Sequence, residues 1–141
     1  MKLIASFLQI VNFQIIIKGQ NLTKMAGHSI INHKGKEILY VDYRGMKENE
    51  ILEEMDKATD FALKENRPML RLSNMTDVFA VSTVVDKAKE SGKRTKHLTI
   101  KRAAVGITGA KKVLFNAFNR VSGNNARAFD DVEEAKDWLV S

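Results

Sequence analysis

Short apolar runs alternate with amphipathic helical stripes along most of this chain, and that alternation leaves few folds open. Strands separated by helices are joined by crossovers, lie parallel and rely on the helices to cover their sheet. Two early runs, Ser29–Asn32 and Glu37–Tyr43, depart from the pattern because only His33-Lys34-Gly35-Lys36 separates them. That spacing, with Gly35 free to take a positive φ, predicts a β-hairpin. The second run contains Ile38-Leu39-Tyr40-Val41 and reads as an inner strand, because its apolar residues are continuous rather than alternating.

From Lys47 to Glu65, residues Ile51, Leu52, Met55, Ala58, Ala62 and Leu63 fall on one helical stripe. The acids Glu50, Glu53, Glu54 and Asp56 read as its wet face. Asn66-Arg67-Pro68 ends the helix, since proline pushes the residue before it out of the helical region. Met69–Ser73 predicts a short strand and Asn74–Asp77 a turn. Val81, Val84, Val85 and Ala88 mark a second helix ending near Gly92, followed by a basic loop from Lys93 to His97. Ala103–Ile107 is small and apolar on both faces, the pattern of a buried central strand. Thr108-Gly109 turns into a third helix with Val113, Leu114, Ala117, Phe118 and Val121 as its stripe and Gly123 after its end. Arg127–Phe129 is a last strand. Asp130 is placed to cap the final helix with Glu133 as its capping-box partner. Val132, Ala135, Trp138 and Leu139 form that helix's buried face. The order β-β-α-β-α-β-α-β-α is an α/β fold with a mixed, mostly parallel sheet of about five strands.

The chain has 141 residues, enough for one domain with a real core. Without cysteine there is no disulfide, thiol nucleophile or thiolate metal site. Residues 1–24 stand apart from the domain at 25–141. They hold Lys2, Lys18 and Lys24 and no acid; removing those three from the net +6 leaves +3. Their apolar stretch, Leu3 to Ile17, is too short to span a bilayer. Three accounts stand side by side: a secretory signal, an extra amphipathic element, or an over-extended start with translation beginning at Met25. The lack of cysteine and of a good cleavage site points to the cytoplasm; a signal peptide would mean export.

Three stretches carry a family resemblance. They are Tyr40-Val41-Asp42-Tyr43-Arg44-Gly45, then Ala104-Val105-Gly106-Ile107-Thr108-Gly109-Ala110-Lys111-Lys112-Val113-Leu114, then Arg127-Ala128-Phe129-Asp130 running into Glu133-Glu134-Ala135-Lys136-Asp137-Trp138-Leu139. In this order and spacing, from Ser29 to Val140, the chain resembles the STAS domain in its SpoIIAA-like, Sec14-like branch. The resemblance implies a small mixed sheet with helices mainly on one face, and a non-enzymatic regulatory or ligand-binding module. In that family's anti-sigma-factor antagonists, a serine opening the second helix is phosphorylated to switch partner binding. The corresponding stretch here, Ala80-Val81-Ser82-Thr83-Val84, keeps the hydroxyls Ser82 and Thr83 but lacks the flanking Asp and Gly. A phosphate there would still meet free N–H groups and the positive end of the helix dipole. The plainer account makes one hydroxyl an N-cap.

Gly106-x-x-Gly109-Ala110-Lys111-Lys112 is not a Walker loop, because the spacing is wrong. A strand end leading into a helix start nonetheless offers N–H donors to an anion, with Thr108 and Lys111 beside them. Together with Thr76, Asp77, Gly109, Lys112 and Phe115, these residues form the candidate ligand or partner surface. Phe115 falls off its helix's apolar stripe, so it packs under a loop or faces a partner or a second copy of the chain. The basic run from Lys87 to Arg102 has no interleaved aromatic, which argues against nucleic-acid stacking and for a solvated face, with an anionic lipid surface or an acidic partner as the other account. No cofactor is implied, and His28, His33 and His97 have no metal-ligand spacing.

Two functions follow. A regulatory module would bind a protein partner through the start of the second helix, and predicts no deep apolar pocket. A carrier or sensor would enclose a small apolar or anionic ligand between helices and sheet. The flexible Met46, Met55, Met69 and Met75 near element ends suit the second.

Overall fold

The computed structural model describes residues 27–79, 81–123 and 125–141, so the extension at 1–24 lies outside the described residues. Strands β1 (Gly27–His33) and β2 (Lys36–Asp42) form the expected antiparallel hairpin, in register from His33↔Lys36 to Gly27↔Asp42. Its two turn residues both take positive φ, Lys34 at 50° and Gly35 at 82°. That geometry matches the twist of the flanking strands. Helix α1 (Glu48–Glu65) follows, then β3 (Met69–Asn74), α2 (Ser82–Thr95), a 3-10 turn (Lys96–Leu98) and β4 (Thr99–Val105). Helix α3 (Ala110–Ser122), β5 (Ala126–Phe129) and α4 (Val132–Val140) complete the order.

The sheet runs β1-β2-β3-β4-β5, parallel from β2 onward. Each new parallel strand is added on the same side of the last. Right-handed crossovers therefore place α1, α2 and α3 on one face. Helix α4 turns back after β5 and packs on the other face, with Ala135 and Leu139 against Ile38, Leu70, Leu72 and Ala103. The first face holds Leu39, Val41 and Met69 against Ile51, Met55, Ala58, Ala62 and Val84. With both faces covered, the inner strands have no wet side, which explains the unbroken burial of β2 from Ile38 to Asp42.

Several local expectations shift. Helix α2 does not stop at Gly92, which is buried within it; the predicted basic loop is its last turn followed by the 3-10 turn. Thr95 is fully buried there, its hydroxyl bonded to Ser91 O at 2.8 Å, so contacts made from that turn hold the helix together. The cap of α4 is Asp131 rather than Asp130: its carboxylate accepts from Glu134 N at 3.1 Å. On α3, Val113 is 69% exposed and not part of the buried stripe. Glu54, read as solvated, is buried and pairs with His28 Nδ1.

Candidate functional site

The ends of β3 and β4 meet at a close backbone crossing. Met75 N donates to Val105 O at 2.8 Å and Thr76 N to Asn74 Oδ1 at 3.1 Å. Gly106, at φ 83°, passes so near that a Cβ there would sit 2.5 Å from Thr76 N. The glycine of the apparent phosphate loop is therefore required by packing. Thr108 and Gly109 are exposed, and α3 starts after Gly109. Lys111 turns back, its Nζ donating to Met75 O at 3.0 Å, whereas Lys112 points to solvent. Asp77 is exposed at φ 60° and Thr76 is half-buried.

Behind this crossing, between the sheet and helices α2 and α3, lies a cavity of about 120 Å³. Lys111, Leu114, Phe115 and Phe118 line it from α3 at helical spacing, so the inward stripe of α3 includes Phe115 and omits Val113. Phe115 is half-buried and stacks on Phe118, with centroids 6.3 Å apart. Val84, Val85, Ala88 and Ser91 line it from α2, and Met55 and Met75 close it. Thr108, Gly109, Lys112, Thr76 and Asp77 are not among the lining residues, so the predicted surface divides: Lys111 and Phe115 reach the cavity, Thr76, Asp77, Thr108 and Gly109 stay on the loops, and Lys112 is exposed on α3. A module built for a protein partner alone was expected to lack such a space.

Arg71 and Arg102, which no candidate site included, line the cavity from the sheet, beside the polar Tyr43, Ser73, Ser91 and Lys111. The two arginines are direct neighbours across the parallel β3–β4 pair. Arg71 is 5% exposed, and its Nη1 donates to Thr95 Oγ1 at 2.5 Å. Arg102 reaches the same Thr95 hydroxyl at 3.3 Å and Thr99 Oγ1 at 3.4 Å. Its Nε is buried with no hydrogen-bond partner among the described residues. Burial pushes the Arg102 guanidinium down to about 9, and the charge of Arg71 pushes the same way. Burial likewise lowers Arg71 and holds the Tyr43 hydroxyl above its ordinary range. Two like charges thus share a site from which water is largely excluded.

The sequence carried a signal for this pair. Arg71 sits inside Met69-Leu70-Arg71-Leu72, a strand covered on both faces, so its side chain has to enter a helix layer. Lys101 and Arg102 occupy successive positions of β4 and point to opposite faces. Lys101 emerges beside α4, its Nζ on Trp138 O at 3.0 Å and over the Trp138 ring. Arg102 points the other way, so the basic run is not one solvated face. Lys87 also leaves it, pairing with Asp56 at 3.1 Å.

At the other end of α2, Ser82 and Thr83 occupy its first turn and are both exposed. The N-cap is Val81, with no side-chain cap bond; Thr83 Oγ1 instead donates to Glu48. Phe79 is 85% exposed and Val81 39%.

No family model matches the chain, and no curated protein does. Among solved structures it is similar to an anti-sigma-factor antagonist (STAS) domain protein from Planctomyces limnophilus, with TM-score 0.58 and 13% identity. The likeness covers 82% of this chain and 100% of that one. It agrees with the five-stranded mixed sheet and four helices described above. The chain has the fold of a STAS domain.

Proposed function

We propose that the chain is a non-enzymatic regulatory module that binds a protein partner through the start of α2. The exposure of Phe79 and Val81 beside Ser82 carries this reading. An aromatic ring left in water gains apolar burial when a partner covers it, and such rings anchor interfaces. The likeness to an anti-sigma-factor antagonist domain supports the same class of role. Thr83 is engaged by Glu48, so we assign the switching hydroxyl to Ser82. A phosphate on Ser82 meets the positive helix end, and Glu48, held on Thr83 in the same turn, is a like charge it works against. The test takes a protein retained by the wild-type chain from its own cells and titrates it, purified, against Phe79→Ser and Ser82→Asp. Each variant is expected to weaken binding by about tenfold or more. Equal affinity for all three chains contradicts the assignment.

The cavity favours a second reading, a carrier or sensor of a small ligand. The two readings meet in α2. Its first turn carries the exposed surface, its middle lines the cavity, and its last turn holds both arginines through Thr95. A ligand that shifts α2 would change the surface offered to a partner.

A further inference from the structure

We propose that the cavity binds an oxyanion carried on an apolar body, with Arg71 and Arg102 as its anchors. This rests on the small-ligand reading above. The first ground is charge. Among the described residues no carboxylate lies within ion-pair distance of either guanidinium, and their side-chain acceptors are the neutral hydroxyls of Thr95 and Thr99. More exposed cations elsewhere in the fold are paired: Arg44 with Asp42, Arg67 with Glu37 and Lys87 with Asp56. Arg71 is buried and Arg102 half-buried with its Nε enclosed; charges so placed are ordinarily paired, and these two, side by side, repel each other. An anion between them removes both costs.

The second ground is unused donors. Arg71 spends one side-chain hydrogen bond on Thr95, and Arg102 makes two long ones, with its Nε unpaired. A guanidinium offers five donors in a planar fork that fits carboxylate or phosphate oxygens in pairs. The third ground is size and lining. At about 120 Å³ the cavity is far larger than one oxyanion group needs. The space beyond the arginines is walled by Val84, Leu114, Phe115 and Phe118, which suits a hydrocarbon body and not an array of waters. Lys111 is a poor competitor for the head group, since its Nζ is already turned to Met75 O.

The experiment is calorimetric titration of the full chain with octanoate, octyl phosphate and octanol. These share one tail and differ in head. Either acid is expected to bind about tenfold or more tightly than octanol, and the arm that binds better tells carboxylate from phosphate. Arg71→Met and Arg102→Met, each checked for a cooperative unfolding transition, are expected to abolish the preference while leaving octanol binding within about threefold. If octanol binds as tightly as both acids, the oxyanion assignment is overturned and the small-ligand reading stands. If none of the three binds, both fall. Since the head-group comparison is made on the wild-type chain, the proposal stays testable even where a variant fails to fold.

Discussion

At the scale of single residues, Gly106 and Arg102 are constrained in opposite ways. Gly106 combines a positive φ with a backbone approach to Thr76 that no side chain tolerates. Gly106→Ala is therefore expected to lower the unfolding free energy by roughly 2–4 kcal/mol in urea titration. A loss below about 0.5 kcal/mol would mean the crossing relaxes freely. Arg102 works in the opposite direction. It is half-buried, its Nε fully so, beside a like charge, so Arg102→Met is expected to leave the ligand-free chain as stable or more stable. A clear fall in its denaturation midpoint would show that an internal partner already neutralises the guanidinium. Arg71 was legible in principle, because a charge in the middle of a doubly covered strand has nowhere wet to go. What the sequence does not show is that Arg71 and Arg102 stand opposite each other, because the register of two parallel strands joined by a helix is not written in either strand's own pattern.

At the scale of elements, periodicity located every strand and helix from β1 to α4. It was least reliable where tertiary contacts decide. The hairpin, the stripe of α1 and the buried face of α4 were legible because each has a strong local pattern. The C-terminal turn of α2 was not, since Gly92 and a basic run look like a loop until Thr95 is seen packed under the sheet's arginines. The inward face of α3 was misassigned because Val113 and Phe115 are both apolar, and only the cavity distinguishes them. Helix α4 is the sole helical cover for its face among the described residues, and Leu139 is 1% exposed. Leu139→Ala is expected to cost about 3 kcal/mol in the same titration, and an effect under about 1 kcal/mol would contradict that packing. The same helix is tied to the hairpin by Asp137, whose carboxylate is held below its usual range by Lys34 first and His33 second. A carboxylate with a depressed folded pKa contributes stability above its ordinary value and loses it as pH falls through the folded one. Asp137→Asn is thus expected to flatten the acid limb of the stability profile, and an unchanged limb would show the tie contributes nothing.

At the scale of the whole molecule, the proposed function rests on how the topology divides its two faces. Three successive crossovers leave α1, α2 and α3 on one side, and the cavity forms where α2 and α3 meet over β3 and β4. The single helix α4 seals the other side with a packed apolar layer. The exposed surface proposed for a partner at the start of α2 and the arginine pair beneath its end therefore lie at two ends of one helix. Under the proposed function, that arrangement would couple a small anionic ligand to a protein partner through α2. The most direct test is a native mass spectrum of the full chain isolated from its own source, beside Arg71→Met prepared in the same way. The account predicts a wild-type peak carrying one extra, anionic, non-covalent mass that is lost on denaturation, and a variant peak without it. A bare wild-type chain that also takes up no octanoate or octyl phosphate when they are added would contradict it.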